Sequence, residues 1–328
     1  LGWSGVVAGF LILSYYSVIA GWTLAYILES VSGTFVGMDG DAVGDVFNTL
    51  VGSPGELIFW HSLFMLLTMI IVARGVQDGL EKAIRFLMPA LFVLLVIMVG
   101  YALSTDSFGK GLEFLFTPDF SKISTEGILK AMGQAFFTLS LGMGAIMIYG
   151  SYMPHDASIT RTSITVALAD SGVALLAGIA IFPIVFANGL EPGAGPGLVF
   201  VTLPIAFGQM PGGMFFGTVF FVLLTFAAWS SSISLIEPFV AWLVENKGMT
   251  RNHASVLSGL ITWFIGLGTV FSFNIWSEVK LFDKTFFDLL DYLTSNIMLP
   301  LGGLLIGVFA AWVIKKQSSV DELGMGDG

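Results

Sequence analysis

Oxygen-bearing side chains stand in this sequence where apolar ones belong. Residues 226–238 read F-A-A-W-S-S-S-I-S-L-I-E-P, with three consecutive serines inside an apolar run. At helical spacing Ala227, Ser231, Ser234 and Pro238 share a face, with Ser230 and Leu235 beside it. Hydroxyls and backbone carbonyls are hard oxygen ligands and suit a cation such as Na+ without a buried charge. The same serines can instead bond a carbonyl four residues earlier, or a neighbouring helix. Residues 133–154, G-Q-A-F-F-T-L-S-L-G-M-G-A-I-M-I-Y-G-S-Y-M-P, carry Thr138, Ser140, Gly142 and Gly144 at their middle. Such a segment can break into two half-helices, whose ends offer partial charges to ions and carboxylates. In lipid each freed backbone group costs several kcal/mol, so a break has to face protein, water or a ligand. The alternative is an unbroken helix using its small residues as a packing face.

Carboxyl groups come next. Asp170 sits within the otherwise apolar S-I-T-V-A-L-A-D-S-G-V-A-L-L, and an intramembrane acid is a functional candidate unless it lies at the interface. Glu29 falls near a helix end and Glu237 precedes a helix-distorting proline. Asp288 and Asp291 open the last apolar run, where Asp291 can act as a gate charge or serve as a helix N-terminal acid. In L-I-L-S-Y-Y-S-V-I-A-G-W, Ile12 and Tyr16 are four apart and share a face. A tyrosine at mid-membrane needs a partner for its hydroxyl, either a ligand carboxylate or a neighbouring carbonyl.

The elements that must position these residues are membrane helices. The chain of 328 residues is 55% hydrophobic and 11% charged, with a mean hydropathy of +0.89. Soluble domains carry about a quarter charged residues. Apolar runs of about 20 residues recur along the whole length, the signature of helical spans and not of a β-barrel. Eight spans are expected: 3–31, 57–74, 83–104, 128–150, 160–188, 213–243, 253–276 and 286–314. Residues 188–213 are rich in Gly and Pro around an apolar middle, Leu198 to Phe207, which suits a loop folding back into a cavity. Arg74, Lys82, Arg85, Arg161, Lys247, Arg251, Lys315 and Lys316 fall on one side of the bilayer, against Lys110, Lys122, Lys130, Lys280 and Lys284. The first side is therefore expected to be cytoplasmic.

Several classes are excluded. There are no cysteines, so neither disulfides nor thiolate chemistry are available. His61, His155 and His253 are far apart and form no metal motif. A net charge of −10 argues against a nucleic-acid partner. The sequence opens with Leu1 inside an apolar run, with no basic region before it, so a signal peptide is not indicated and the sequence is expected to be a piece of a longer chain.

Together these segments resemble the neurotransmitter:sodium symporter family, with its leucine-transporter fold of broken helices and inverted repeats. Residues 133–153 resemble the family's sixth helix and 227–238 its eighth. Residues 13–24 resemble its third helix and 197–213 its fourth extracellular loop. The resemblance is ordered and covers nearly the whole chain. It implies an all-α integral membrane protein whose eight spans match helices three to ten, truncated at the N-terminus. Residues 1–316 would form the transporter domain, its second repeat starting at about 128, and 317–328 a short, unstructured cytoplasmic tail.

The resemblance also implies roles. Phe137, Ser140 and Met143 would face the substrate from the broken helix, Ile12 and Tyr16 from the third, and Ser231 and Leu235 from the eighth. Tyr16 would bind the substrate carboxylate, Phe137 would act as a lid, and Asp291 would be the acidic member of the outer gate. Two sodium sites are implied: Thr138 would ligate the first, and Ala227 (by its carbonyl), Ser230 and Ser231 the second. Where the family carries an amide ligand for the first sodium, this chain offers Ala169 or Asp170. Asp170 is preferred, because a carboxylate can coordinate sodium and also supply the negative charge that chloride gives elsewhere, so chloride is not required. Met143 stands where many relatives carry Phe, and a flexible thioether makes room for a large hydrophobic or aromatic L-amino acid.

The expected function is sodium-coupled symport of such an amino acid by alternating access, in the plasma (inner) membrane, by the full-length parent. The resemblance implies that the family's unwound first helix holds much of both sodium sites, and its first two helices are not matched here. The rival readings are a membrane channel and a non-transporting remnant. An intramembrane enzyme is disfavoured because no histidine lies plainly at mid-span to act as a base.

Overall fold

The computed structural model describes residues 2–75, 77–151, 153, 157–190, 192 and 196–323. His155 and the last five residues of the tail lie outside them. The described residues form helices α1 (Gly2–Val31), α2 (Gly40–Gly52), α3 (Pro54–Arg74), α4 (Gln77–Leu103), α5 (Phe108–Phe116), α6 (Thr125–Thr138), α7 (Ala145–Ser151), α8 (Ile159–Ala187), α9 (Leu203–Gln209), α10 (Gly213–Lys247), α11 (Arg251–Ser272), α12 (Phe286–Asp291), α13 (Leu299–Val308) and α14 (Lys316–Glu322). A π-turn, Tyr292–Met298, joins α12 to α13 and makes one continuous span of the two.

Among the described residues, seven helices are long and apolar enough to cross a membrane. They coincide with seven of the eight expected spans. The eighth, 128–150, is the pair α6 and α7, neither of which is long enough alone. Part of the tail differs from expectation, since α14 makes it helical over Lys316–Glu322.

Local chemistry sets the ends. Asp39, Ser124, Ser158 and Thr250 each accept a backbone N–H at a helix start, and Thr285 with Asp288 forms a reciprocal capping box at α12. α10 stops at Gly248, whose φ of +65° only glycine adopts without strain.

α1 is the centre of the bundle and packs against α3, α10 and α11. Ile12, Leu13, Trp22 and Tyr26 on it are fully buried. A ring cluster closes one end: Trp22 lies edge-on to Phe47, Phe200 and Phe273, with centroids 5.1–5.5 Å apart. The apolar middle of the 188–213 segment enters this cluster through Phe200 and Ile205, while its Leu203 and Phe207 pack with Met98 of α4 and Ile184 of α8 in a second one, all buried. α8 packs on α4 and α5.

Some polar groups inside the bundle are paired across helices. Glu237 of α10 takes a bidentate bond from Arg251 of α11 at 2.9 and 2.7 Å, while Arg251 Nε donates to the Val72 carbonyl of α3 at 2.8 Å. This guanidinium ties three helices together at the end expected to face the cytoplasm. His61 is buried, with Nε2 3.2 Å from the Trp263 carbonyl of α11 and its ring stacked on Trp263. Asp288 is absorbed by the cap, and Glu29 accepts the Thr34 hydroxyl at 2.7 Å.

Candidate functional site

The helix break is the centre of the site. α6 ends at Thr138 and α7 begins at Ala145. Between them Ser140, Gly142 and Gly144 have φ of +56°, +81° and +83°. Leu139 donates to Ala135, Ser140 to Phe137 and Leu141 to Phe136, so α6 closes with paired i→i−3 and i→i−5 bonds around the left-handed Ser140. The N–H groups of Gly142, Met143 and Gly144 have no backbone acceptor among the described residues.

The helix is broken here, so the unbroken alternative does not hold, although the glycines still serve close packing. They break the helix, and they also let backbones touch. A Cβ on Gly142 would stand 2.7 Å from the Leu299 carbonyl of α13. A Cβ on Gly302 would stand 3.2 Å from the Gly142 carbonyl. From α1, Cβ atoms on Gly5 and Gly9 would meet Gly144 N at 2.9 Å and the Met143 carbonyl at 3.1 Å. Gly9 also sits 3.1 Å, by the same measure, from the Leu235 carbonyl of α10. The break is therefore clasped between α1, α10 and α13, where irregular backbone is covered by protein.

A cavity of about 390 Å³ opens beside the break. α1 contributes Ile12 and Tyr16 to its wall, and α10 contributes Ser230, Ser231, Ser234 and Leu235. The broken segment contributes Phe137, Thr138, Ser140 and Met143. No Lys, Arg, His, Asp or Glu is among the lining residues. Tyr16 and Ser231 both line the cavity, from α1 and α10.

Two groups of oxygens meet its edges. Thr138 donates its hydroxyl to Asp170 Oδ1 at 2.7 Å, which joins α6 to α8. Ser230 and Ser231 both donate to the Ala227 carbonyl, at 2.7 and 3.3 Å. Three oxygens thus converge within one turn of α10, and Ser234 adds a bond to the Ser230 carbonyl at 2.9 Å. Hydroxyl rotors can turn their lone pairs outward at little cost, so the donor set fits a small hard cation. Among the described residues no cluster of three His, Cys, Asp or Glu side chains that could hold a metal is found.

Ala227 and Asp170 do not line the cavity, but each bonds a residue that does. Asp291 is further off, where it accepts the Ser295 hydroxyl at 3.0 Å in the π-turn. Gln134, Ile146 and Tyr149 line the cavity and were not picked out from the sequence. Gln134 precedes Thr138 by one helical turn, so its face was legible. Tyr149 was not: its hydroxyl bonds Ser234 across to α10, a pairing that only the path of α7 creates.

A bundle of membrane helices, one of them interrupted at a neutral, hydroxyl-edged cavity, defines an ion-coupled membrane carrier. Comparison with known proteins agrees. The sodium:neurotransmitter symporter family matches residues 45–326. An uncharacterized sodium-dependent transporter of Bacillus subtilis (strain 168), YhdH, is 40% identical over 325 residues, 99% of this chain and 72% of that protein. A sodium-dependent transporter of Methanocaldococcus jannaschii is 31% identical over 98% of this chain and 68% of its own length. The crystal structure of MhsT in complex with L-phenylalanine superposes with a TM-score of 0.95 at 41% identity, over 100% of this chain and 75% of that one. The chain belongs to the sodium:neurotransmitter symporter family and has its fold. It is a multi-pass, sodium-dependent transporter protein and not an enzyme.

Proposed function

We propose that the protein couples the entry of a large hydrophobic or aromatic L-amino acid to sodium, by alternating access across the plasma membrane. The observation that carries this reading is the cavity itself. It joins an apolar cleft of Ile12, Phe137, Met143 and Leu235 to the oxygens of Tyr16, Thr138, Ser230 and Ser231. A zwitterion needs polar partners at one end only. The lining residues of this chain offer no charge to read a charged side chain, and their apolar part suits a large hydrophobic or aromatic one. The likeness to MhsT, whose structure holds L-phenylalanine, supports the same class.

In this reading Tyr16 takes the substrate carboxylate, and Ser140 and Ser231 help to orient the polar end. Phe137 closes over the ligand and Asp291 serves an outer gate. Sodium is a co-substrate held at two places, one by Thr138 and Asp170, the other by the Ala227 carbonyl, Ser230 and Ser231. Asp170 supplies a fixed negative charge, so chloride is not needed. Residues 1–316 form the transport domain, its second repeat starting near 128, and 317–328 the cytoplasmic tail. Each charge moved across 100 mV supplies about 2.3 kcal/mol, so two sodium ions give a useful drive beyond their gradient.

The test is uptake of radiolabelled L-phenylalanine into proteoliposomes carrying the full-length protein. Saturable uptake that needs an inward sodium gradient and is competed by L-tryptophan and L-leucine, but not by L-lysine or L-glutamate, is expected. Non-saturable flux would instead mark a channel, and sodium-dependent binding without flux a non-transporting remnant.

A further inference from the structure

Tyr15 and Tyr16 are neighbours on α1 and leave it in different directions. Tyr16 lines the central cavity and Tyr15 does not. Tyr15 is buried, and its hydroxyl lies 3.2 Å from Thr294 Oγ1 in the π-turn between α12 and α13. Hydrogen accounting fixes the direction of that bond. Thr294 has one hydroxyl proton, and it points back to the Leu290 and Asp291 carbonyls, at 2.8 and 3.2 Å. Thr294 Oγ1 is therefore the acceptor and the Tyr15 hydroxyl the donor. Thr294 is fully buried, so bulk water does not reach the pair.

A second element clasps the same π-turn. A Cβ on Gly133 of α6 would collide with the Ser295 carbonyl and stand 3.2 Å from Asn296 Oδ1. The first half of the broken helix thus backs onto the main chain of the turn, while α1 bonds it through Tyr15. A π-turn holds one residue more than an α-helix would need over the same length, and such turns are uncommon and concentrate at functional sites. Losing that excess shifts the flanking residues by one helix position, a rotation of about 100°. Asp291 stands immediately before the turn, and its carboxylate is oriented from within it by Ser295, which donates to Oδ1 at 3.0 Å. Thr294 bonds the main chain of Asp291 and Ser295 its side chain, so whatever fixes the turn fixes the acid.

We propose that Tyr15 is a positioning residue of the transport cycle: its hydroxyl pins Thr294, keeps the π-turn wound, and so holds Asp291 in the orientation that outer closure needs. This rests on the reading of Asp291 as the acid of an outer gate. Tyr15 acts through Thr294 and lines no part of the central cavity. α1 connects the two sites, since a ligand that fixes Tyr16 also fixes the helix turn from which Tyr15 reaches the gate.

The experiment uses the full-length protein in nanodiscs and has two readouts. The first is hydrogen–deuterium exchange of peptides covering 291–298, in sodium without amino acid. Tyr15→Phe keeps the ring edge-on to Phe287, and it is expected to speed exchange there about three- to tenfold, the factor one neutral hydrogen bond supplies, with peptides covering 221–228 unchanged. Thr294→Val is expected to speed it at least as much, and adding Tyr15→Phe to it to change nothing further. Thr294→Ser, which keeps the hydroxyl, is expected to exchange at the wild-type rate. The second readout is dissociation of radiolabelled L-phenylalanine in sodium. It is expected to be about three- to tenfold faster in Tyr15→Phe, and no faster in Tyr15→Phe, Asp291→Asn than in Asp291→Asn alone. A merely structural tyrosine would add the same factor in both backgrounds. Unchanged exchange at 291–298 in Tyr15→Phe, or an undiminished effect on dissociation in the Asp291→Asn background, would overturn the proposal. If the wild type binds no L-phenylalanine, the proposed function falls, and exchange, which needs no substrate, still decides whether Tyr15 pins the turn.

Discussion

Gly142→Ala is the sharpest probe of the break. Gly142 has a φ of +81°, and an alanine held there is in the left-handed region at a cost of roughly 1–2 kcal/mol. Its methyl group would also stand 2.7 Å from the Leu299 carbonyl oxygen, 3.2 Å from Leu299 Cα and 3.4 Å from Gly303 N. All three are backbone atoms of α13, so no flexible side chain can yield. Overpacking of this kind costs about 1–3 kcal/mol. The sum is about 2–5 kcal/mol against the broken conformation. If binding requires that conformation, L-phenylalanine affinity falls by about 30-fold or more, because 1.4 kcal/mol is a factor of ten. The assay is sodium-dependent binding of radiolabelled L-phenylalanine to the purified protein, with circular dichroism to follow helix content. Gly150→Ala is the matched control: Gly150 lies inside α7 with nothing within 4 Å of where the added methyl group would stand, so it should be neutral or mildly stabilising. If Gly142→Ala binds within threefold of wild type, the link between the break and the site is wrong.

Other outcomes follow from the same geometry. Replacing chloride by gluconate should leave uptake unchanged, whereas Asp170→Asn, which keeps a partner for Thr138 but removes the charge, should make uptake chloride-dependent or abolish it; a chloride requirement in wild type refutes the role given to Asp170. Ser231→Ala removes one of the oxygens meeting at the Ala227 carbonyl and should raise the sodium concentration for half-maximal binding by about tenfold, as expected for a lost contact to a charged group. An unchanged sodium titration would assign Ser231 to helix bonding alone. Glu237→Gln strands Arg251, and with side-chain exposures of 10% and 33% the pair is only partly screened. Thermal inactivation should accelerate by an amount equivalent to about 2 kcal/mol, below the 3–5 kcal/mol of a fully buried pair, and the double variant Glu237→Leu, Arg251→Met should recover most of it.

Much of this protein was legible before any coordinate. Seven spans were placed to within a few residues, because lipid demands long apolar runs whose backbone bonds are satisfied within the helix. The interruption at Thr138 to Gly144 was visible as a possibility, since two glycines and two hydroxyls weaken a helix together. Which of its two meanings applied was not visible. The φ of Gly142 is held by contact with Leu299, more than 150 residues later in the chain, and no local pattern encodes that neighbour. Glu237 looked like an acid beside a proline, and its bond to Arg251 depends on how α10 turns into α11.

By itself, then, the order of residues determined that the chain crosses a membrane, which turns are weak, and which side chains can offer oxygen at depth. Only the tertiary structure decided that Tyr16, Thr138 and Ser231 share one cavity with Gln134 and Tyr149, and that Tyr15 meets Thr294. The physical reason is that helix periodicity fixes which residues lie on one face, while the contacts between faces are set by small residues such as Gly5, Gly9 and Gly142 that let particular backbones approach.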